Sequence, residues 1–133
     1  MSELLFLTLD EVLRIHARSL AEHGGADGVR DAGLVESAVV SAQNTFYYGG
    51  GDVFDVAASY AFHLAEAQAF LDGNKRTGVA AALVFLARNG VYTAPPKWEF
   101  YLAMIAVAEK RMTKPRLAEI LRREADSPDE LKS

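Results

Sequence analysis

The chain has no cysteine among its 133 residues. This absence excludes disulfide bonds and thiolate chemistry, and it is compatible with a reducing compartment. The sequence also contains no apolar run of roughly 18 or more residues, the length that a membrane-spanning helix requires. Its start, Met1 to Glu3, lacks the positively charged region of a secretory signal. We therefore expect a cytoplasmic protein with no membrane partner.

Positive charge is in the minority. The chain has 14 lysine and arginine residues against 18 aspartate and glutamate residues, which gives a formal net charge of -4. Proteins that bind nucleic acids neutralise phosphates with lysine and arginine, so this balance argues against a direct nucleic-acid partner. The electrostatic field of a chain with net negative charge suits a neutral or basic partner segment better.

Strand-like alternation of apolar and polar residues is missing as well. Apolar residues instead recur at helical spacing, in segments that begin with capping residues or proline and end near glycine. Thr8 and Glu11, for example, form a capping box ahead of the first segment. The predicted helices run from Leu9 to His23, from Asp31 to before Asn44, from Asp52 to about Ala69, from about Asn74 to before Gly90, onward from Pro95 and Pro96, and from Thr113 to about Ala125.

These segments predict an all-α fold, a compact single-domain bundle of about six helices. The fourth helix is apolar on every side from Val79 to Ala87, which predicts a buried central helix. Residues 1–125 are expected to form the domain and residues 126–133 a polar C-terminal tail. Residues 44–51, three aromatics followed by three glycines, are predicted to be a loop, with a short hairpin at residues 46–48 as the alternative. Trp98 and Tyr101 are expected to line the core or a groove.

The segment between the third and fourth predicted helices carries the most chemical information. Backbone N–H groups at the start of a helix bind anions, and Gly73 lets the backbone approach a phosphate closely. Lys75 and Arg76 add positive charge, and Asp72 is the hard oxygen ligand that Mg2+ prefers. Taken alone, the same residues also fit an ordinary turn followed by a solvated basic pair.

The wider pattern resembles the signature of the Fic/Doc superfamily, His-x-Phe-x-Asp-(Gly/Ala)-Asn-Lys-Arg-Thr followed by an apolar helix. The chain has the matching residues from Phe70 to Thr77 and then continues GVAAALVFLARNG. Three upstream segments are similar to sequences of the Doc branch, LTLDEVLRI at 7–15, GVRDAGLVESA at 28–38 and QNTFY at 43–47. The resemblance covers about residues 5–125.

This resemblance implies a toxin of a toxin–antitoxin system that moves part of a nucleoside triphosphate, such as ATP, onto a protein hydroxyl. For the Doc branch it implies phosphate transfer to a threonine of elongation factor Tu and neutralisation by a cognate antitoxin. AMP transfer, as in Fic enzymes, and a catalytically inactive module that binds nucleotide or antitoxin are the alternatives.

The resemblance also implies roles for individual residues. Phe70 would anchor the loop in the core, and Asp72 would hold Mg2+. Lys75 is typical of the Doc branch, where Fic enzymes that transfer AMP usually have glycine. The residues implied in phosphate binding are Gly73, Asn74, Lys75, Arg76 and Thr77.

One position departs from the signature, because Gln68 stands where the family has its histidine. The resemblance makes that histidine the general base, whereas an amide cannot take a proton near neutral pH. General-base assistance is worth ~10²–10⁴-fold, so we expect impaired transfer with retained nucleotide binding. An engineered change, a natural variant with altered chemistry and a binding module without catalysis are three open explanations. We expect Gln68 to point into a site floor shared with Asp72.

The remaining candidates have more ordinary interpretations. His63 falls on the side of its helix opposite the apolar stripe, and we expect no catalytic part for it. His16 is expected in the core and His23 at a helix end, where it complements the dipole. Arg30 and Asp31 are expected to act structurally, through an ion pair and a helix cap. For the aromatic loop at 44–51 the resemblance implies a place near the flap that positions the target, and the alternative is a loop packed by its own rings.

Overall fold

The computed structural model describes residues 3–92 and 97–126. Within these residues the chain forms six helices and no strand, which confirms the all-α prediction. The helices are α1 (Leu9–His23), α2 (Ala32–Tyr47), α3 (Val53–Ala67), α4 (Asn74–Arg88), α5 (Lys97–Ala108) and α6 (Lys114–Asp126).

Helix starts follow the capping residues seen in the sequence. The Thr8 hydroxyl accepts a hydrogen bond from the Glu11 N–H, and the Glu11 carboxylate accepts one from the Thr8 N–H, so the predicted capping box is present. The side chains of Asp31 and Asp52 cap α2 and α3, and the Thr113 hydroxyl accepts from the backbone of α6. These local bonds explain why four predicted starts lie within a residue of the observed ones.

A buried central helix exists, but it is α3 rather than α4. Helix α3 packs against α2, α4, α5 and α6, and its residues 56–61 are all buried. It is rich in alanine, so its neighbours can approach closely. A Cβ on Gly78 of α4, for example, would lie 2.8 Å from the carbonyl oxygen of Ala61. Helix α4 leaves one side open instead, where Val84 is 38% exposed.

The aromatic segment does not form the predicted loop, because α2 continues through it to Tyr47. The Phe46 ring packs edge-on against Phe6 at 5.9 Å, and Phe6 stacks on Phe85 of α4 at 6.1 Å. The partial burial of Phe6 and Phe46 in this contact stabilises the additional helical turn. The sequence around Phe46 does not encode that contact, because Phe6 is distant along the chain. The connection to α3 is shortened to residues 48–52.

Some predictions fall at or beyond the edge of the described residues. Pro95 and Pro96, the side chain of Trp98 and the tail residues 127–133 lie outside them, and Asp126 is the last residue of α6. Tyr101 is part of a groove wall and is 42% exposed. No helix among the described residues is both long and apolar enough to cross a membrane.

Candidate functional site

The site begins where α3 ends. Gln68 adopts a left-handed backbone conformation with φ 56° and ψ 40°, which stops the helix and turns the chain. Its side-chain Nε2 donates to the carbonyl of Ala65 at 3.0 Å, and its Oε1 accepts from Asn74 Nδ2 at 3.5 Å. The structure therefore brings the Gln68 amide to Asn74 rather than to Asp72.

Asn74 closes the loop that follows. Its Oδ1 accepts from the Phe70 N–H at 3.0 Å, and its Nδ2 donates to the Phe70 carbonyl at 3.0 Å. Asn74 is 8% exposed and Phe70 is fully buried, so this double clamp is shielded from water. The Asn74 side chain thus shapes the loop from inside, and its backbone N–H, at the uncapped start of α4, is the group left to bind an anion.

The start of α4 has unpaired donors. Its N-cap is Gly73, and no side chain caps the helix there. The first intrahelical bond runs from the Thr77 N–H to the Gly73 carbonyl at 2.9 Å. The N–H groups of Asn74, Lys75 and Arg76 consequently have no partner within the helix, which favours anion binding.

Two cations lie beside these N–H groups. Lys75 and Arg76 are exposed, and within 3–92 and 97–126 no salt bridge engages either side chain. Thr77, in contrast, is fully buried and its hydroxyl has no hydrogen-bond partner. The structure therefore places Lys75 and Arg76 where a phosphate can reach them and Thr77 under the loop.

Asp72 points its carboxylate to the outside of the loop. Its Oδ1 accepts from the Gly73 N–H at 3.0 Å, and its Oδ2 accepts from the Ala26 N–H at 3.3 Å. Among the described residues no group of three or more acidic, histidine or cysteine side chains is arranged to hold a metal. Mg2+ often uses one or two carboxylates, water and substrate phosphates, so a single exposed aspartate beside an anion site suits it.

The connection between α1 and α2 lies directly against this loop. The N–H groups of Arg30 and Asp31 donate to the Ala69 carbonyl at 2.7 and 3.1 Å, and the Leu71 N–H donates to the Gly28 carbonyl at 3.1 Å. Val29 and Phe70 form an isolated antiparallel bridge. These bonds make residues 24–31 the outer wall of the candidate site, a role that our sequence interpretation missed.

The aromatic segment, expected near the flap or packed by its own rings, lies at the opposite end of α3 from the motif. Its Phe46 and Tyr47 rings pack edge-on at 5.2 Å. Residues 48–52 precede α3, whereas the motif loop, residues 68–73, follows it. Because α3 has 15 residues, its two ends are about 22 Å apart. The segment that does lie against the motif loop is residues 24–31, and the glycines among residues 24–28 were the sequence signal for it. Gly28 has φ 143°, and a Cβ there would lie 2.7 Å from Leu71 Cδ1, so only glycine fits against the motif without strain.

Arg30 also departs from expectation. Its Nη1 donates to the Gln68 carbonyl at 3.4 Å, and no ion pair of Arg30 occurs in the described part of the chain. The left-handed turn at Gln68 leaves that carbonyl outside the α3 hydrogen-bond pattern, which explains why a guanidinium serves as its donor. Asp31 caps α2, as predicted.

The other histidines differ in their surroundings. His16 is buried, as predicted, and its Nε2 lies 2.9 Å from the Asp72 carbonyl oxygen. His63 Nε2 lies 3.1 Å from Lys114 Nζ of α6, and burial together with Lys114 lowers the pKa of His63. His23 is in the last turn of α1, as predicted. The structure thus ties His63 to α6 and His16 to the motif loop.

A groove between α1 and α4 opens beside the site. Its cavity of about 350 Å³ has an apolar floor, with Arg18 and Arg76 on its rims. A second hollow of about 430 Å³ continues it toward Arg88 and shares Ile15, Arg18 and Val84 with the first. Arg76 therefore borders both the anion site and the groove.

A model of the Fic/DOC family matches residues 6–86, more than half of the chain. The chain is 36% identical over 83 residues to the protein kinase doc of Escherichia phage P1, covering 62% of this chain and 66% of that protein. It is 44% identical over 93 residues to the Toxin Doc of Mycolicibacterium smegmatis, covering 67% and 68%. The matched stretch spans just under two thirds of the first relative and just over two thirds of the second.

Proposed function

Because the chain belongs to the Fic/DOC family, we propose that it is a Doc-type toxin. Its reaction would transfer phosphate from a nucleoside triphosphate to a hydroxyl of a translation factor such as elongation factor Tu, at a rate that Gln68 reduces. The observation that carries the proposal is the uncapped start of α4, with unpaired N–H groups beside two exposed cations. The name of the phage relative, a protein kinase, supports phosphate transfer over nucleotide transfer.

Different residues of the loop and of the start of α4 would bind different parts of the nucleoside triphosphate. The N–H groups at the start of α4 would bind phosphate oxygens, and the Arg76 guanidinium can bind two of them at once. Lys75 would add a point charge on the same side. Asp72 would hold Mg2+, which when bound neutralises charge on the phosphates.

Gln68 would limit the transfer step. A target hydroxyl must lose its proton as its oxygen bonds to phosphorus, and an amide cannot accept that proton. The Gln68 amide is moreover bonded to Ala65 and Asn74. We propose that the chain binds nucleotide well and transfers phosphate slowly.

A labelling experiment tests this proposal. Purified protein is incubated with elongation factor Tu, Mg2+ and ATP labelled at the gamma phosphate, and Gln68→His is compared with the parent. Gln68→His is expected to label the target ~10²–10⁴-fold faster, since it supplies a general base. Gln68→Asn, which has no base, is the matched control and should stay as slow as the parent. Equal rates for all three proteins would refute the role of position 68.

Parallel reactions separate the alternatives. Label from the alpha phosphate on the target would indicate AMP transfer instead of phosphate transfer. Calorimetric ATP binding that Arg76→Ala weakens, with no transfer from either label even in Gln68→His, would indicate an inactive binding module. The bonded state of the Gln68 amide is the observation that favours this module as second candidate.

We further propose a cognate antitoxin as partner, held in the groove between α1 and α4. From Arg76 to Arg88 the groove follows α4 for about 18 Å, the length of a helix of about twelve residues. Its floor is apolar, and its edges carry the ion pairs Arg18–Glu22 and Arg88–Glu11. Arg14 and Arg76 also line it, and no salt bridge engages them among the described residues. The apolar floor suits the apolar face of an amphipathic helix, and Arg76 suits an acidic residue on its flank, although the net negative charge of the whole chain favours a neutral or basic partner. Such a helix would lie beside Arg76 and could block phosphate binding.

A further inference from the structure

His16 connects α1 to the loop that carries the proposed phosphate site. It is 3% exposed, and its ring stacks on Phe70 with centroids 3.8 Å apart and planes 9° from parallel. Its Nε2 lies 2.9 Å from the carbonyl oxygen of Asp72. A buried polar side chain of another helix thus contacts the backbone of the one carboxylate residue in the loop.

The contact determines where hydrogen lies on the imidazole. A carbonyl oxygen can only accept a hydrogen bond, so Nε2 must carry the hydrogen and donate it. The nearly parallel Phe70 ring restricts rotation of the imidazole. The donor is therefore held in one direction, toward the peptide bond between Asp72 and Gly73.

That peptide bond transmits the contact to the carboxylate. A trans peptide is planar, so a C=O directed at α1 leaves the following N–H directed away from α1. The Gly73 N–H indeed donates to Asp72 Oδ1 at 3.0 Å. A continuous path of two hydrogen bonds and one rigid plane leads from His16 to the Asp72 side chain.

We propose that His16 is a positioning residue, which orients the Asp72 carboxylate for Mg2+ without itself contacting the nucleotide. The inference rests on the proposed function, because that function makes Asp72 the metal ligand. A purely structural His16 would instead support the whole loop, through its stacking on Phe70. The two roles predict different losses of ATP affinity when the hydrogen-bond donor and the ring of His16 are removed separately.

Two substitutions separate donor from ring. His16→Phe keeps a ring against Phe70 and removes the donor, whereas His16→Gln keeps a donor at a similar reach and removes the ring. For His16→Phe we expect about tenfold weaker binding of ATP with Mg2+, the effect of one lost hydrogen bond. Binding of ATP in the presence of a chelator should change less than about twofold, since the N–H groups, Lys75 and Arg76 remain. His16→Gln should stay close to the parent in both titrations.

Calorimetry gives these affinities, and two NMR measurements do not depend on nucleotide. In the parent the coupling pattern should show a hydrogen on His16 Nε2, and the Gly73 amide resonance should move in His16→Phe but not in His16→Gln. A bare Nε2, an unmoved Gly73 resonance, or equal losses with and without Mg2+ would each overturn the positioning role. If the parent binds no ATP, the proposed function fails, while the two NMR results still decide whether His16 orients this peptide.

Discussion

At the scale of single residues, Asn74 shows how one side chain shapes the candidate site from beneath. Both atoms of its amide are bonded to the backbone of Phe70, in a setting that water does not reach. A family signature places Asn74 among phosphate-binding residues, whereas the geometry adds a second task, which is to hold the loop closed. The free N–H groups of α4 keep their direction only while the loop keeps its shape.

Removal of the Asn74 amide should therefore lower both stability and binding. Asn74→Ala leaves two buried backbone groups of Phe70 without partners, and we expect a loss of about 2 kcal/mol in the free energy of unfolding by urea. Lys75→Ala, one residue on and exposed, is the control. It should change stability by less than about 0.5 kcal/mol while weakening ATP binding. Similar stability in the two variants would contradict the clamp.

At the scale of elements, the site depends on how three segments meet. The motif loop lies between α3 and α4, the α1–α2 connection covers its outside, and the groove between α1 and α4 runs up to Arg76. The pairing of Val29 with Phe70 joins the connection to the loop. Movement of α1 relative to α4 would consequently change the groove and the anion site together.

The groove can be tested with two matched valines. Val84 of α4 is 38% exposed and lines both hollows of the groove, whereas Val40 of α2 is 45% exposed and lines neither. We expect Val84→Glu to weaken binding of the proposed cognate antitoxin at least tenfold, because it puts a charge on the apolar floor. Val40→Glu should leave the Kd unchanged. Equal Kd values for both variants, measured by calorimetry, would place the antitoxin elsewhere.

At the scale of the whole molecule, an ion pair joins the two walls of that groove. Arg88 Nη1 of α4 donates to Glu11 Oε1 of α1 at 2.8 Å, and Arg88 also contacts the carbonyl of Phe6. The hydrogen bond from Arg88 is the main reason that the pKa of Glu11 is lowered from 4.5 to about 2, with the Thr8 capping contact next. This single carboxylate serves both the cap of α1 and the packing of α1 on α4.

The lowered pKa predicts a dependence of stability on pH. A carboxyl whose pKa is depressed by folding stabilises the protein above its unfolded pKa, and that contribution is lost as pH falls through the folded value. Between pH of about 4.5 and about 2, the Tm of the parent should therefore fall more steeply than that of Glu11→Gln. Scanning calorimetry over this range measures both proteins. Parallel Tm curves would show that Glu11 does not titrate with the shifted pKa.

The sequence by itself determined the helical class, the starts of most helices and the segment that carries the chemistry. Capping residues act on N–H groups two or three positions away, and the turn from Asp72 to Arg76 lies within five residues. Neighbouring residues in the sequence therefore determine these features. The signature residues around Gln68 also indicate the family without any tertiary contact.

Only the tertiary structure decided which helix is central, how far α2 extends and what covers the motif. Helix α3 is central because four helices pack against it. Helix α2 continues to Tyr47 because the Phe46 ring packs against Phe6. The role of His16 depends on a contact with a residue 56 positions away. Such contacts arise from the packing of distant segments, and packing partners leave no periodic or capping signal in either segment alone.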